Sequence, residues 1–170
     1  MKPRLAIFAL CAALLAPSEA AAQQKPPRFD DYPAKEVYSG KVAEPLLTTA
    51  RHRDYRTYIR AVADGGANFA GHYAVIILNC GEACVTADFL DVRTGKVIPR
   101  AFSNSGWGKH HDAFRKVEFR RDSRLIAFPG GINGRPPLGW HFYVFDDGRL
   151  RRLHTIVTRD FTKPLSEWIK

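Results

Sequence analysis

The segment HYAVIILNCGEACVTADFLDV, residues 72–92, constrains this chain more than any other. Two runs of alternating apolar residues flank Cys80 and Cys84, and β-branched and aromatic side chains dominate both, as in strands. A bond between the two cysteines would make the segment a hairpin and set its register. With Cys80 facing Cys84, Ile77 stands opposite Ala87 and Val75 opposite Phe89, which turns one clean apolar face inward. Gly81 comes first in the intervening loop instead of at its usual left-handed end, so the turn type stays open.

Whether the cysteines bond depends on where the protein resides. The chain begins MKPRLAIFALCAALLAPSEAAAQQ. Lys2 and Arg4 precede an apolar run from Leu5 to Ala16, and Ala20-Ala21-Ala22 before Gln23 fits an A-x-A cleavage site. The run is too short to span a bilayer, which takes roughly 20 apolar residues. Leu10 is bulkier than the small residue that precedes a lipid-modified cysteine, which argues against Cys11 as an anchor. The expectation is a cleaved signal over residues 1–22 and a periplasmic or secreted protein of a Gram-negative bacterium, with no transmembrane anchor. Of the three cysteines, Cys80 and Cys84 then remain, in an oxidising compartment. Their C-x3-C spacing is not the C-x-x-C of thioredoxin-like redox pairs. Zinc would require two more ligands, and no histidine lies at a recognisable spacing. A regular helix would hold the two Cβ atoms about 5–6 Å apart, whereas a disulfide needs about 3.8 Å. A structural disulfide across a tight turn is the expected outcome.

Removing 22 of the 170 residues leaves 148, enough for one domain with its own core. The leader carries Lys2, Arg4 and Glu19, so its loss lowers the net charge from +9 to +8. That excess favours an anionic envelope component or an acidic protein as partner. Nucleic acid is a poor candidate, because the basic residues are dispersed and the address is extracytoplasmic.

Residues 23–47, with Pro26, Pro27, Pro33 and Pro45, form an extended lead-in that wraps the domain or stays mobile. From residue 48 on the chain reads as a single β-rich domain. A helix is expected over about 49–64, with Thr49 as its cap and Gly65-Gly66 as its stop. Tyr55, Ile59 and Val62 share its apolar stripe, and Arg53, Arg56 and Arg60 share the opposite side. After the turn RTGK the chain enters VIPRAF. The segment KVEFRRDSRLIAFPGG reads as a second hairpin turning at Asp122-Ser123, with its return strand at Leu125 to Phe128. WHFYVFDDGRLRRLHTIV reads as a third, turning at Asp146-Asp147-Gly148. Phe161, Leu165 and Trp168 are expected to pack back on the body. LDVRTGKVIPR and VFDDGRLRRL resemble the closing hairpins of propeller blades, but the chain is too short for a closed propeller. The fold class is therefore mainly β: an open or partly rolled antiparallel meander with one packed amphipathic helix.

The stretch NFAGHYAVIILNCGEACVTADFLDVRTGKV, 68–97, resembles an uncharacterised family of small exported Gram-negative proteins. In that family an N-F-A-G-H-Y strand leads into a paired-cysteine turn, and a D-x-x-T-G-K hairpin follows. The likeness extends over about residues 66–153. It implies export and a β-rich fold, and it carries over no catalytic residue.

Two segments could hold chemistry. FSNSGWGKHHDAF, 102–114, offers Trp107, Lys109, His110, His111 and Asp112 as binding residues. Adjacent side chains do not readily share one metal ion, so a metal there would need a distant ligand such as His72, Glu82, Asp88 or His141. Ser103 or Ser105 with His110 and Asp112 contains the residue types of a nucleophilic triad, but no G-x-S-x-G elbow accompanies them. FPGGINGRPPLGW, 128–140, reads as a long shaped loop whose Arg135 and Trp140 could form an anion- or sugar-contacting rim. The overall expectation is a non-catalytic binding protein without a cofactor, for an envelope component or a protein. The alternatives are a metal-dependent hydrolase built on His110-His111-Asp112 and an immunity or inhibitor protein.

Overall fold

The computed structural model describes residues 25–99, 102–106 and 116–169. The expected signal, residues 1–22, lies outside the described residues. Within them are eight strands: β1 Tyr73–Gly81, β2 Cys84–Asp91, β3 Val97–Ile98, β4 Ser103–Ser105, β5 Glu118–Phe119, β6 Leu125–Ile132, β7 Arg135–Asp146 and β8 Arg149–Val157. They make one open antiparallel sheet in the order β1-β2-β4-β6-β7-β8, with β3 added to β2 and β5 to β6. The expected open meander is the observed architecture.

The β1–β2 hairpin has the register read from its cysteines. Val75 pairs with Phe89 and Ile77 with Ala87, and Cys80 and Cys84 are bonded, with Cα atoms 5.2 Å apart. The ladder slips by one residue between Asn79 and Gly81, and Ala83, at φ 50°, takes the left-handed position of the turn.

Short β4 joins two halves of the sheet. It pairs with β2 at Cys84–Thr86 on one side and with β6 at Gly131 and Ile132 on the other. Beyond it β2 takes β3 and β6 takes β5, and the two halves turn their inner faces toward each other. Tyr73, Val75, Ala87 and Phe89 from one half meet Ile126, Phe128, Tyr143 and Phe145 from the other, with Phe69 between. Phe145 is the hinge of this core, with ring centroids 4.5 Å from Phe89, 4.7 Å from Tyr73 and 5.4 Å from Phe69. Alternation sends the intervening residues outward. Ala74, Ile76, Leu78 and Leu90 receive the helix. Leu125, Ala127, Trp140 and Phe142 receive Phe29 from the lead-in and Phe161 and Leu165 from the tail, with Trp168 packed alongside as expected.

The helix forms in two pieces, α1 Ala50–Asp54 and α2 Arg56–Asp64, meeting at Tyr55. Ile59 N–H still bonds Tyr55 O at 2.9 Å, so one piece continues from the other. Thr49 caps it, its hydroxyl accepting from His52 N–H at 3.0 Å. Ile59 and Ala63 carry the buried stripe.

The lead-in wraps the domain. Tyr38 N–H bonds Gly71 O at 2.9 Å, and Leu46 N–H bonds Gly95 O at 2.7 Å. A Cβ on Gly71 would stand 1.7 Å from Glu36 O, and one on Gly95 would stand 2.1 Å from Glu44 O. The glycines of the N-F-A-G-H-Y and T-G-K motifs thus admit the lead-in against the sheet.

One expectation is overturned. Residues 128–140 are not a long loop. The β6 strand runs on through Pro129-Gly130-Gly131 to Ile132, and Asn133-Gly134, at φ 53° and 67°, turn directly into β7. Two left-handed central residues make this a primed hairpin turn, matched to the twist of its strands. Pro136 and Pro137 lie in the exposed start of β7, where a missing N–H costs no ladder bond.

Candidate functional site

The structure separates the residues proposed from sequence. Trp107, Lys109, His110, His111 and Asp112 lie outside the described residues. Arg135 is exposed at the start of β7, but Trp140, on the same strand, is wholly buried among Leu125, Phe142 and Phe161. A rim built from Arg135 and Trp140 together is therefore excluded, because β7 has turned Trp140 into the core. Ser103 and Ser105 lie on β4, with the Ser105 hydroxyl donating to Gly131 O at 3.4 Å. Among the described residues, no three His, Cys, Asp or Glu side chains converge on a metal position.

The distant ligands considered for such a metal are scattered. Glu82 is exposed at the disulfide turn. His72 stacks on Tyr73, centroids 4.2 Å apart, and burial together with the nearby Arg93 charge lowers its pKa. His141 is 1% exposed. Its Nε2 is 2.9 Å from Gly130 O, which can only accept, and its Nδ1 is 3.3 Å from Arg152 Nη2, which can only donate. The ring is thereby held as the neutral Nε2–H tautomer. Burial is the main cause of its lowered pKa, and the Arg152 charge adds to it. With both nitrogens engaged, His141 braces β6, β7 and β8 and is not poised as a base.

Asp88 is committed elsewhere. His52 Nε2 donates to Asp88 Oδ2 at 3.3 Å, and both side chains are 2% exposed beneath α1. Beside them Arg51 Nη2 reaches Asn79 O at 2.9 Å and Thr86 Oγ1 at 3.3 Å. The sequence reading did not single out His52, although it falls on the stripe of Tyr55, Ile59 and Ala63 at helical spacing. The His52–Asp88 pair docks the helix and is closed to solvent, with Arg51 at its open margin.

The open, charged feature is β8. Among the described residues it ends the sheet, paired only with β7. Its sequence RLRRLHTIV leaves Arg149, Arg151, Arg152 and Val157 exposed. Against it lies a groove of about 400 Å³, walled on one side by Arg151, Arg152, Leu153 and His154 and on the other by Lys25, Pro26, Pro27, Asp31 and Tyr32. Four consecutive residues of one strand line it, so the groove follows the strand's edge and does not sit on one face. The one carboxylate on its far wall, Asp31, accepts from the Arg28 backbone N–H at 3.0 Å. Lysine and arginine supply the rest of the charge there.

The chain matches none of the protein-family models, curated proteins or solved structures with which it was compared. Among the described residues no helix is long and apolar enough to cross a membrane.

Proposed function

We propose that this is an exported, non-catalytic binding protein that takes an acidic partner, an anionic envelope component or an acidic protein, along the groove at β8. The observation that carries the reading is the juxtaposition of Arg151 and Arg152, with Arg149 exposed beside them on the outermost strand, and the Lys25 wall across the groove. In a chain of net charge +9, an open cleft in which positive charge predominates concentrates counter-charged ligands and speeds their encounter. The buried imidazoles speak for structure: His52 is paired with Asp88 and His141 is fixed as a single neutral tautomer.

The test is binding of fluorescein-labelled oligoglutamate, followed by polarisation. Affinity should fall steeply with salt, as for exposed charges screened within roughly 8 Å at physiological ionic strength. Arg149→Glu with Arg151→Glu should weaken it at least tenfold. Binding that ignores both salt and the double charge reversal would remove the reading.

A further inference from the structure

The groove follows the edge of a strand, and the hydrogen-bond phase of β8 shows which main-chain groups that edge presents. Thr158 N–H donates inward to Leu138 O at 3.1 Å, and Phe145 N–H donates away from β8, to Arg124 O, at 2.9 Å. Main-chain groups alternate sides along an antiparallel strand. Counting back from Thr158, His154 and Ile156 face β7, while Thr155 and Val157 face outward. Counting from Phe145, its neighbours Val144 and Asp146 face their partners Arg151 and Arg149, so Leu150 and Arg152 face outward. Leu153 is the extra residue where the register shifts. The edge therefore offers two short ladders, Leu150 with Arg152 and Thr155 with Val157. Among the described residues none of these four has a main-chain hydrogen-bond partner on that side.

An edge with free donors and acceptors accepts another strand unless something opposes it. Here the opposition is selective. A second copy of β8 laid against the first would set arginines beside arginines, and like charges across a ladder are destabilising. An acidic strand meets the reverse situation, with Arg149, Arg151 and Arg152 on β8 and Lys25 across the groove. Val157, 71% exposed at the end of the edge, adds an apolar contact. Pro26 and Pro27 on the far wall have no N–H to compete for the incoming chain's carbonyls.

We propose that the partner of this site is an extended acidic peptide that adds to β8 as a further strand, its main chain on Leu150–Val157 and its carboxylates on the arginines. Strand addition of this kind draws affinity from main-chain bonds and selectivity from alternate side chains. The proposal rests on the acidic-partner reading of the same groove.

The probe is a labelled nine-residue peptide alternating Glu with Val or Thr. It is compared with the same peptide N-methylated at two adjacent central residues, which removes one donor from each of its edges and leaves its charge unchanged. Methylation should weaken binding at least tenfold. In the protein, Val157→Pro removes an outward N–H and leaves the β7 ladder intact, so it should cause a similar loss with an unchanged urea midpoint. Equal binding of both peptides, with salt and Arg151 dependence retained, would overturn strand addition and leave a surface that binds anions by charge alone. Binding indifferent to Arg149→Glu and Arg151→Glu would overturn the acidic-partner reading as well. A concentration-dependent dimer in sedimentation, abolished by Val157→Pro, would assign the edge to a second copy and likewise overturn the proposal.

Discussion

The two edges of the sheet are finished in opposite ways. At β1 outward main-chain groups of Tyr73, Val75 and Asn79 find partners within the protein. Tyr73 O accepts from Asn68 and Phe69 N–H, each at 2.9 Å, Val75 N–H donates to Asn68 Oδ1 at 2.9 Å, and Asn79 O accepts from Arg51 at 2.9 Å. At β8 nothing comparable closes the edge among the described residues, and arginines stand where β1 has Asn68 and the helix. Charge is one way natural sheets keep an edge from pairing indiscriminately. It leaves the edge accessible, so β8 remains available for binding, whereas β1 is committed to the fold.

The comparison breaks most visibly beneath the helix on the β1 side. Asp88→Ala would leave the His52 ring buried without its hydrogen-bond acceptor, and a buried polar group left unsatisfied costs roughly 1–3 kcal/mol. The expected result is a large drop in the urea midpoint, with loss of helical signal as α1 and α2 release from β1. A change under about 0.5 kcal/mol, the range of ordinary surface substitutions, would mean that the pair does not hold the helix.

Acid separates the halves more finely. His72 in the first half and His141 in the second both have pKa values lowered from 6.5, chiefly by burial. Their neutral forms belong to the native state, so the unfolded chain takes up protons first as pH falls through 6.5. Stability attributable to them is complete above that value and is lost below it. Urea midpoints should therefore decline from pH 7 to pH 5. His141→Gln should flatten that decline more than His72→Gln, because His141 is the more deeply buried of the two. The reverse ranking would show that the first half, not the β8 half, carries the acid response.

Much of this contrast was within reach of the sequence, but unevenly. The Cys80–Cys84 spacing contains the register of β1 and β2, since a short bonded loop permits few others, and Asp146-Asp147-Gly148 marks the β7–β8 turn directly. The β6–β7 hairpin is hidden because Pro136-Pro137 and Gly130-Gly131 resemble a loop, although Asn133-Gly134 is a hairpin-turn signal. Those prolines are tolerated because they fall where β7 is exposed, a fact of tertiary placement. Trp140 looks like a rim residue for the same reason: its inward direction follows only from the limits of β7. His52 lay on the helical stripe, yet a buried histidine is recognised only once Asp88 is seen opposite. That β8 is the terminal strand depends on which strands pair across the whole chain, and no local pattern encodes that.

The smallest expected effect sharpens the comparison most. If β8 is an edge kept for binding, Arg149→Gln and Arg151→Gln should each change stability by less than about 0.5 kcal/mol, as exposed charges do. Neither takes part in the core: both side chains point to solvent, and both residues' main-chain bonds to β7 survive the substitution. Arg152 is the instructive exception, because its guanidinium also donates to His141 and, at 2.5 Å, to Thr155. Its removal should lower stability as well as binding. Thermal and urea unfolding of the three single variants, set beside their affinity for the acidic peptide, resolves the point. Two variants that lose binding without losing stability, and a third that loses both, would establish that β8 is braced from its inner face and free along its outer edge.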